Sequence, residues 1–433
     1  MIDKTPLALS DEFKSILEQL ETDSQHFFIT GKAGTGKSTL LQLFRNTTKK
    51  RTAILAPTGI AALNVKGQTI HSFFGFPPRM INPEDIRKRP NHRMYKNIDC
   101  IIIDEISMVR ADTMDNIDLF LRRNRDSDLP FGGVQMLFFG DLYQLPPVIS
   151  SPFEKNYFHE VYESGYFFSS VVVKEKIQLR LCELHHIYRQ DELKFIRLLD
   201  AIRNNDLDWD DLESLNARNL PLPEDLKYFI TICATNSSAE TINRTALEKL
   251  KSEEKTYAAE ITGEFASQYY PTDPILQLKV GAQVMFVKND VKRLYVNGTI
   301  GQISRIEKNE VYITILEGHE SEVEIQVEKE EWEIIKYVRN EANPRDIQTE
   351  IVGKFLQYPI KLAWAITIHK SQGKTFEKVI IDLGRGAFEY GQTYVALSRC
   401  RTMDGIYLKN KLQARDVMTD QAVQDYFDQI KRW

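Results

Sequence analysis

The chain has 433 residues, which is more than one ordinary hydrophobic core organises and predicts two to four domains. Its formal net charge of −5 and pI near 6.0 exclude binding of polyanions through global positive charge, so a nucleic acid would have to be held by local grooves. The four cysteines are far apart and form no CxxC motif, which argues against structural zinc and fits a reducing compartment.

The N-terminal residues contain neither an apolar signal core nor an Arg/Ser-rich transit pattern. No segment approaches 18 continuous apolar residues, so we expect a cytoplasmic protein without membrane contact. Ser10 is predicted to cap an amphipathic helix over residues 11–21.

A glycine-rich turn then lies between a strand pattern at 26–30 and a helical pattern at 38–44. The turn, GKAGTGKS at 31–38, is a full Walker A signature, and its glycines let several backbone N–H groups face one anion at a helix N-terminus. We expect Lys37 to reach the β- and γ-phosphates of ATP and Ser38 to ligate Mg²⁺. The predicted nucleotide contacts are Gly34, Thr35, Gly36, Lys37, Ser38 and Thr39.

The second strand pattern, at 51–56, ends in Pro57-Thr58-Gly59, and a run of aromatic residues follows at 73–76. Exposed rings at this position would stack on the bases of a single strand, whereas buried rings would belong to the core. The following stretch, 79–96, carries six basic and two acidic residues. It predicts either a solvated loop or an insertion that contacts a nucleic-acid backbone.

Two further strand patterns end in polar residues suited to hydrolysis. Asp104 and Glu105 follow the apolar run at 100–103, which places one acid beside the Walker magnesium and the next where it can polarise the attacking water. Gln144 follows the run at 135–139 and is predicted to sense the γ-phosphate.

The second half of the chain repeats the alternation of strands and helices and predicts a second sheet of similar design. It contains Arg189 and Arg399, which we interpret as arginine fingers supplied from the lobe opposite the Walker loop. Short β-branched runs between 281 and 354 predict a small inserted β-barrel. The predicted domains are 1–175 with a basic insertion near 76–97, 176–296, the barrel at 297–357, and 358–433.

With these segments the chain resembles the Pif and RecD branch of superfamily 1 helicases, and is most similar to bacterial Pif-type DNA helicases. The resemblance rests on GKAGTGKS (31–38), APTGIAAL and TIHSFF (56–74), IIDEISMV (102–109), PFGGVQMLFFGDLYQLPPV (130–148), YRQ (188–190), CATN (233–236), VNGTIG (296–301), AWAITIHKSQGKTFEKVIIDL (363–383) and YVALSRCR (394–401). These motifs follow the order of the family and span nearly the whole chain.

The resemblance implies an α/β fold with two recA-like P-loop domains and an Src-homology-3-like β-barrel insertion. It implies catalytic roles for Glu105, Lys37, Gln144, Arg189 and Arg399, Mg²⁺ held by Ser38 and Asp104, and further nucleotide contacts from Gly373 and Lys374. It also implies single-strand contacts from Pro57, Thr58, Gly59, His71, Ser72, Phe73, Thr235, Asn236, His369 and Lys370.

The implied function is ATP-dependent translocation 5′ to 3′ on single-stranded DNA with unwinding of duplex, and family members often resolve G-quadruplexes and DNA–RNA hybrids. We expect single-stranded DNA and strand junctions as partners and a monomer in the absence of DNA. The alternatives are an RNA helicase, an ATP-gated single-strand clamp and a small-molecule kinase. Residues 9–13 lack the Gln with which the family reads adenine, which leaves adenine selectivity open.

Overall fold

The computed structural model describes residues 10–77, 79–149, 151–190, 192–308, 310–317, 321–340, 342–343 and 346–430. Two parallel sheets and three antiparallel sheets lie in this part of the chain. The predicted α/β class with two parallel-sheet lobes is confirmed. Within the described residues, no helix combines the length and apolarity needed to cross a bilayer.

The first lobe is built on a six-stranded sheet of order β3-β2-β4-β5-β1-β6, in which every strand is parallel to its neighbours. Its elements are α1 (Asp11–Thr22), β1 (His26–Gly31), α2 (Lys37–Thr47), β2 (Thr52–Ala56), α3 (Gly59–Asn64), β3 (Gln68–Thr69), α4 (Ile70–Phe74), α5 (Arg93–Lys96), β4 (Cys100–Ile103), α6 (Ala111–Arg125), β5 (Gln135–Phe139), α7 (Pro152–Val161) and β6 (Leu179–Leu184). Its central strands β4 and β5 are buried along their whole length because both faces of the sheet are covered, as is typical of parallel sheets.

The predicted end of this lobe at residue 175 is too early. β6 pairs in parallel with β1 over the whole of 179–184, so it completes the first sheet and does not open the second. The Ser10 cap of α1 is confirmed, since its hydroxyl accepts a hydrogen bond from the Phe13 N–H.

The second lobe begins with α8 (Leu193–Asn204), α9 (Trp209–Asn216), β7 (Ile230–Cys233) and α10 (Asn236–Lys249). An inserted module, residues 255–362, follows. It contains β8 (Lys255–Ala258), β9 (Glu260–Gly263), β10 (Ile275–Leu278), β11 (Gln283–Phe286), β12 (Ile300–Glu307), β13 (Glu310–Glu317), β14 (Ser321–Val327), β15 (Glu330–Arg339), β16 (Ile347–Gln357) and β17 (Ile360–Leu362).

The inserted module is antiparallel throughout and starts about four strands earlier than the predicted residue 297. Its strands form a sheet of order β14-β13-β12-β11-β17, a second of order β15-β16-β9, and the pair β10-β8. The pair β10-β8 and the five-stranded sheet bury one common apolar cluster. This cluster gives the module a core of its own, whereas its Trp332 and Phe355 pack into the core of the second lobe.

The chain then returns to the second lobe with β18 (Ala365–Thr367), α11 (Ile368–Ser371), β19 (Val379–Asp382), α12 (Gln392–Leu397), β20 (Ile406–Leu408) and α13 (Gln421–Ile430). The parallel sheet of this lobe has the order β18-β7-β19-β20. Its core packs β7, β18 and β19 against α8 and α12.

Two elements cross back from the second half to the first lobe. α13 buries Val423 and Phe427 in the first lobe's apolar core, and the Phe427 ring stacks on Tyr143 with centroids 5.3 Å apart. On β15, the Tyr337 hydroxyl accepts a hydrogen bond from the Ile54 N–H at 3.0 Å. The first lobe is thus held by the C-terminal helix and by the inserted module.

The basic stretch near 76–97 lies against the first lobe. Lys88 and Lys96 both pair with Asp126 beyond the end of α6, at 2.5 and 2.7 Å. The Arg89 guanidinium donates to the carbonyls of Phe74 and Gly75. These cations already have partners within the chain, which favours the solvated-loop interpretation of this stretch.

Candidate nucleotide site and nucleic-acid face

The Walker loop joins β1 to α2 through two glycines with positive φ, Gly34 at +87° and Gly36 at +84°. A side chain at Gly34 would collide with Arg189, whose Cβ lies 2.5 Å from the position that a Cβ would take. Gly36 precedes α2 and offers no side-chain cap to it. The first N–H groups of this helix are therefore available to an anion.

Lys37 is folded back onto the loop that carries it. Its Nζ donates to the Gly31 carbonyl at 2.7 Å and to the Lys32 carbonyl at 3.0 Å. Burial lowers the pKa of Lys37 to about 8, while the carboxyl groups of Asp141 and Glu105 oppose this shift. Ser38 and Thr39 are exposed at the start of α2.

Asp104 and Glu105 follow β4, whose carboxyl end lies at the same edge of the sheet as the Walker loop. Burial, and then the neighbouring Glu105, raise the pKa of Asp104 to about 7. Burial also raises the pKa of Glu105, although Lys37 opposes this shift. A carboxyl pair of this kind fits a site for Mg²⁺ and a water molecule, since a cation bound there would favour the charged form of Asp104.

Gln144 lies in the loop after β5 and is almost completely buried. Its Nε2 donates to Asp141 Oδ2 at 3.3 Å, so Asp141 orients the predicted γ-phosphate sensor. Asp141 also accepts from Arg203 Nη2 at 3.1 Å, a buried ion pair between the first lobe and α8.

Tyr394 of α12 adds a second connection between the lobes. Its hydroxyl accepts from the Ala33 N–H of the Walker loop at 3.0 Å and lies 3.5 Å from Asp141 Oδ2. A salt bridge of 2.6 Å between Lys32 and Asp200 of α8 lies on the same loop. Sequence reasoning did not predict Asp141, Arg203 or Tyr394 as site residues, although Asp141 and Tyr394 lie within the motifs GDLYQ and YVALSR.

The two predicted arginine fingers lie side by side. Arg189 Nη1 donates to the Ser398 carbonyl at 3.2 Å, and Arg399 Nη2 donates to the Ser398 hydroxyl at 2.8 Å. Burial lowers the pKa of Arg189 to about 10, while burial and Arg189 lower that of Arg399 to about 9. These hydrogen-bond acceptors are neutral oxygens, so the site holds clustered positive charge.

The expectation that both arginines come from the opposite lobe holds for Arg399 only. Arg189 follows β6 of the first sheet, in the segment that joins the lobes, and its neighbour Tyr188 donates its N–H to the Gly34 carbonyl at 2.9 Å. The error has the same origin as the wrong boundary at 175, since β6 was assigned to the second sheet.

Tyr188 is a site residue that sequence reasoning missed. Its ring is 45% exposed, packs edge-on against Phe13 and His186, and lies beside Gly36. A half-exposed ring next to the phosphate loop is suited to stack on a nucleobase. Its position directly before Arg189 in the YRQ motif was the available signal.

At or just after the ends of four parallel strands, a threonine caps the following helix. Thr58 accepts from the Ala61 N–H, Thr69 from Ser72, Thr235 from Ser238 and Thr367 from Lys370. β2 pairs with β3 in the first sheet, and β7 pairs with β18 in the second. Each lobe therefore presents two adjacent capped helix starts at the carboxyl edge of its sheet.

Most of the predicted single-strand residues lie on or next to these helix starts. Thr58, Ser72, Thr235, Asn236 and Lys370 are exposed. Those that are partly covered are Pro57, His71 and His369, and Gly59 is buried beneath the Tyr269 ring.

The prediction that Phe73 stacks on a base is wrong. Its ring is 4% exposed and packs edge-on against Phe74, Tyr95 and Tyr337. Phe76 is also buried and stacks on Phe74. Phe73 and Phe74 lie within α4, whose apolar side faces inward, and Phe76 follows it, so these rings belong to the core.

Gly373 and Lys374 follow α11. Gly373 has a φ of +74°, and the position that a Cβ would take at this residue is open. Lys374 Nζ donates to Asn297 Oδ1 of the inserted module at 2.6 Å, and its own carbonyl accepts from Arg399 Nη1 at 3.4 Å. Lys374 therefore lies between the nucleotide cleft and the inserted module.

Two regions of the chain match models of known families. Residues 8–212 match the PIF1-like helicase model, and residues 268–306 match the 2B domain of the DNA helicase Pif1. The ATP-dependent DNA helicase Pif1 of Bdellovibrio bacteriovorus is 31% identical to this chain, over 98% of this chain and 93% of the relative.

Solved structures give the same picture. Bacteroides sp Pif1 in complex with ADP-AlF4 is 36% identical, covers 99% of this chain and 98% of its own, and superposes with a TM-score of 0.90. Bacteroides Pif1 bound to ssDNA has the same identity and coverage and a TM-score of 0.69. The chain spans 62–65% of the length of the first three curated relatives that it matches, all eukaryotic PIF1 helicases.

Proposed function

Because the chain belongs to the PIF1-like helicase family, we propose that it is an ATP-dependent DNA helicase that moves along single-stranded DNA. The observation that carries the proposal is the cluster of buried cations between the lobes, namely Lys37, Arg189 and Arg399. Burial lowers the pKa of each, so negative charge bound beside them would favour their charged forms. A nucleoside triphosphate supplies that charge.

ATP is the proposed substrate and Mg²⁺ the proposed cofactor. The N–H groups at the start of α2 and Lys37 would bind phosphate oxygens, while Tyr188 would stack on the base. Ser38 and Asp104 would hold Mg²⁺, which supplies charge neutralisation at the phosphates. The half-buried Asp104 carboxyl fits this role. Its pKa is raised, and a cation bound beside it would favour its charged form.

Hydrolysis would depend on groups from both sides of the cleft. Glu105 would position the attacking water and accept its proton, and burial raises the pKa of its carboxyl group. Arg189 and Arg399 would stabilise charge that develops on the γ-phosphate. Because Arg399 belongs to the second lobe and Glu105 to the first, the site is complete only when the lobes are closed.

Coupling to movement would pass through Gln144. Asp141 holds this side chain and is itself bonded to Arg203 of α8 and close to Tyr394 of α12. A change at the γ-phosphate would therefore reach the second lobe through one buried network. The strand itself would lie along the four capped helix starts, two on each lobe, so that lobe closure shortens the distance between the two pairs of contacts.

Movement in the 5′-to-3′ direction, activity on G-quadruplexes and on DNA–RNA hybrids, and contact with strand junctions are further parts of the proposal, supported by the family resemblance. A monomeric state without DNA and a cytoplasmic location stay predictions.

The test is ATP hydrolysis with and without single-stranded DNA, together with unwinding of duplexes that carry a 5′ or a 3′ tail. We expect strong DNA stimulation and unwinding that needs the 5′ tail. Glu105→Gln should abolish hydrolysis, whereas Glu160→Gln, on the exposed side of α7, should not. Binding of DNA without unwinding would favour the ATP-gated clamp, and hydrolysis that ignores DNA would contradict the motor.

A further inference from the structure

Lys374 connects the nucleotide cleft to a loop of the inserted module. The loop, 287–299, joins β11 to β12, and its Asn297 side chain accepts a hydrogen bond from the Lys374 ammonium at 2.6 Å. Gly298 lies alongside the aliphatic part of the same side chain. The module thus contacts the second lobe at Lys374 itself, which lies directly before Thr375 in the QGKTF motif.

The loop is built to hold Asn297 in one place. The Asn297 N–H donates to Asn289 Oδ1 at 2.7 Å, and the Gly298 N–H donates to the Phe286 carbonyl at 2.8 Å. Gly298 has a φ of +103°, which favours glycine. Tyr295 stacks on Phe286 with centroids 3.8 Å apart and fixes the loop to β11. The Asn297 backbone, which carries the amide that accepts from Lys374, is therefore anchored independently of Lys374.

The charged groups that act on Lys374 are cations, Lys361 of β17 and Arg399 after α12. Burial, and then these two cations, lower the pKa of Lys374 to about 7. A carboxylate partner would neutralise the ammonium, whereas a neutral amide fixes its position and leaves its charge available to an anion. Arg399 donates to the Lys374 carbonyl, so an anion at Arg399 is close to Lys374.

We propose that Asn297 is a positioning residue for ATP hydrolysis, which holds the Lys374 ammonium beside Arg399 so that both cations meet the phosphates. The inference rests on the proposed function, since it assigns a further residue to the same site. Its consequence is that the inserted module takes part in forming the nucleotide site. A displacement of the module by bound DNA would move Lys374 relative to the phosphates.

The experiment compares kcat/KM for ATP, with saturating single-stranded DNA, across the mildly acidic to mildly alkaline pH range. Lys374 must be protonated to act, so the wild-type value should fall as pH rises through about 7. Asn297→Ala should lower kcat/KM about tenfold, the equivalent of one hydrogen bond to a charged group, and should move the fall to lower pH. Asn297→Asp should move the fall to higher pH, because a carboxylate raises the pKa of Lys374.

Two controls separate positioning from folding. Lys374→Met should remove the fall near pH 7 and leave only a fall at higher pH from Lys37, and Asn297→Asp should have no effect on the pH profile in that background. Gln326→Ala, on the exposed surface of the same module, should behave as wild type. If Asn297→Ala fails to fold, the Asn297→Asp and Lys374→Met profiles still decide the question.

Identical pH profiles for wild type, Asn297→Asp and Lys374→Met would overturn the inference, as would a loss of activity in Asn297→Ala without any shift of the profile. These outcomes differ from failure of the proposed function. If wild type shows no DNA-stimulated hydrolysis, the proposed function fails first. If wild type is active and the variants match it, only the role of Asn297 is wrong.

Discussion

The nucleotide cleft and the nucleic-acid face use the ends of parallel strands in opposite ways. The cleft is rich in charge, with Lys37 and Arg399 acted on by the carboxyl groups of Glu105 and Asp141. The proposed nucleic-acid face is mostly neutral: its capping threonines Thr58 and Thr235 are exposed, and Thr69 and Thr367 are buried. Both regions lie at the carboxyl edges of the sheets.

The proposed function accounts for this difference. A cleft with clustered cations would bind a small polyanion tightly and respond strongly to its loss. A face of hydroxyls and helix N-termini binds each phosphate weakly, which allows a strand to be held at one lobe and released at the other. Tight binding along the face would hinder movement.

The largest expected effect comes from the cleft. Arg399→Lys keeps the charge but loses the planar fork that donates to Ser398 and the Lys374 carbonyl, so kcat for ATP hydrolysis should fall by about 10³-fold or more. The measurement is steady-state hydrolysis with saturating DNA. Arg401→Lys, in an exposed pair with Glu377, should hydrolyse ATP like wild type. Similar rates in the two variants would contradict the role of Arg399.

A second prediction concerns the ion pair that joins the lobes. Asp141→Asn leaves Arg203 buried without its carboxylate and should cost about 3–5 kcal/mol of unfolding free energy. Denaturant unfolding measures this cost. Asp99→Asn, in a half-exposed pair with Arg51, is the matched control and should cost about 1 kcal/mol or less. Equal losses would show that burial does not distinguish the two pairs.

Removal of a cap on the nucleic-acid face should have a smaller effect. Thr58→Val loses the hydroxyl that accepts from the Ala61 N–H, which should cost about 1 kcal/mol of stability and weaken single-strand binding several-fold. Thr58→Ser keeps the cap and should restore both. Fluorescence anisotropy with a labelled oligonucleotide gives the affinity, and a serine variant as weak as the valine variant would exclude the cap as the cause.

The smallest expected effect is on salt dependence. Lys370 is an exposed cation on the same face, so Lys370→Ala should make the slope of log affinity against log salt shallower by about 0.7 for a single strand. Lys411→Ala, exposed after β20, should leave the slope unchanged. An unchanged slope in Lys370→Ala would remove Lys370 from the strand contacts.

The sequence predicted the elements whose chemistry is local. The Walker loop depends on glycines that lie close together in the sequence. The acids after β4 could be predicted because they directly follow a single apolar strand. Phe73 could not be placed in this way, because the side of α4 that faces inward depends on Tyr95 and Tyr337. Partners from distant parts of the chain decide such positions.

The same limit applies to the contacts between lobes. Nothing in the neighbourhood of Arg203 or Asn297 in the sequence indicates Asp141 or Lys374 as a partner. The placement of Arg189 failed for a related reason, since a strand pattern at 179–184 does not tell which of two parallel sheets it joins. Sheet membership is set by register with β1, which only the folded chain provides.

The return of α13 to the first lobe has a mechanical consequence. The second lobe is connected to the first at two places in the chain, through the segment after β6 and through the segment that leads from β20 to α13. One connection would allow rotation about any direction, whereas two connections restrict it to an axis that passes near both. Each cycle of opening and closing should therefore follow the same path about this axis.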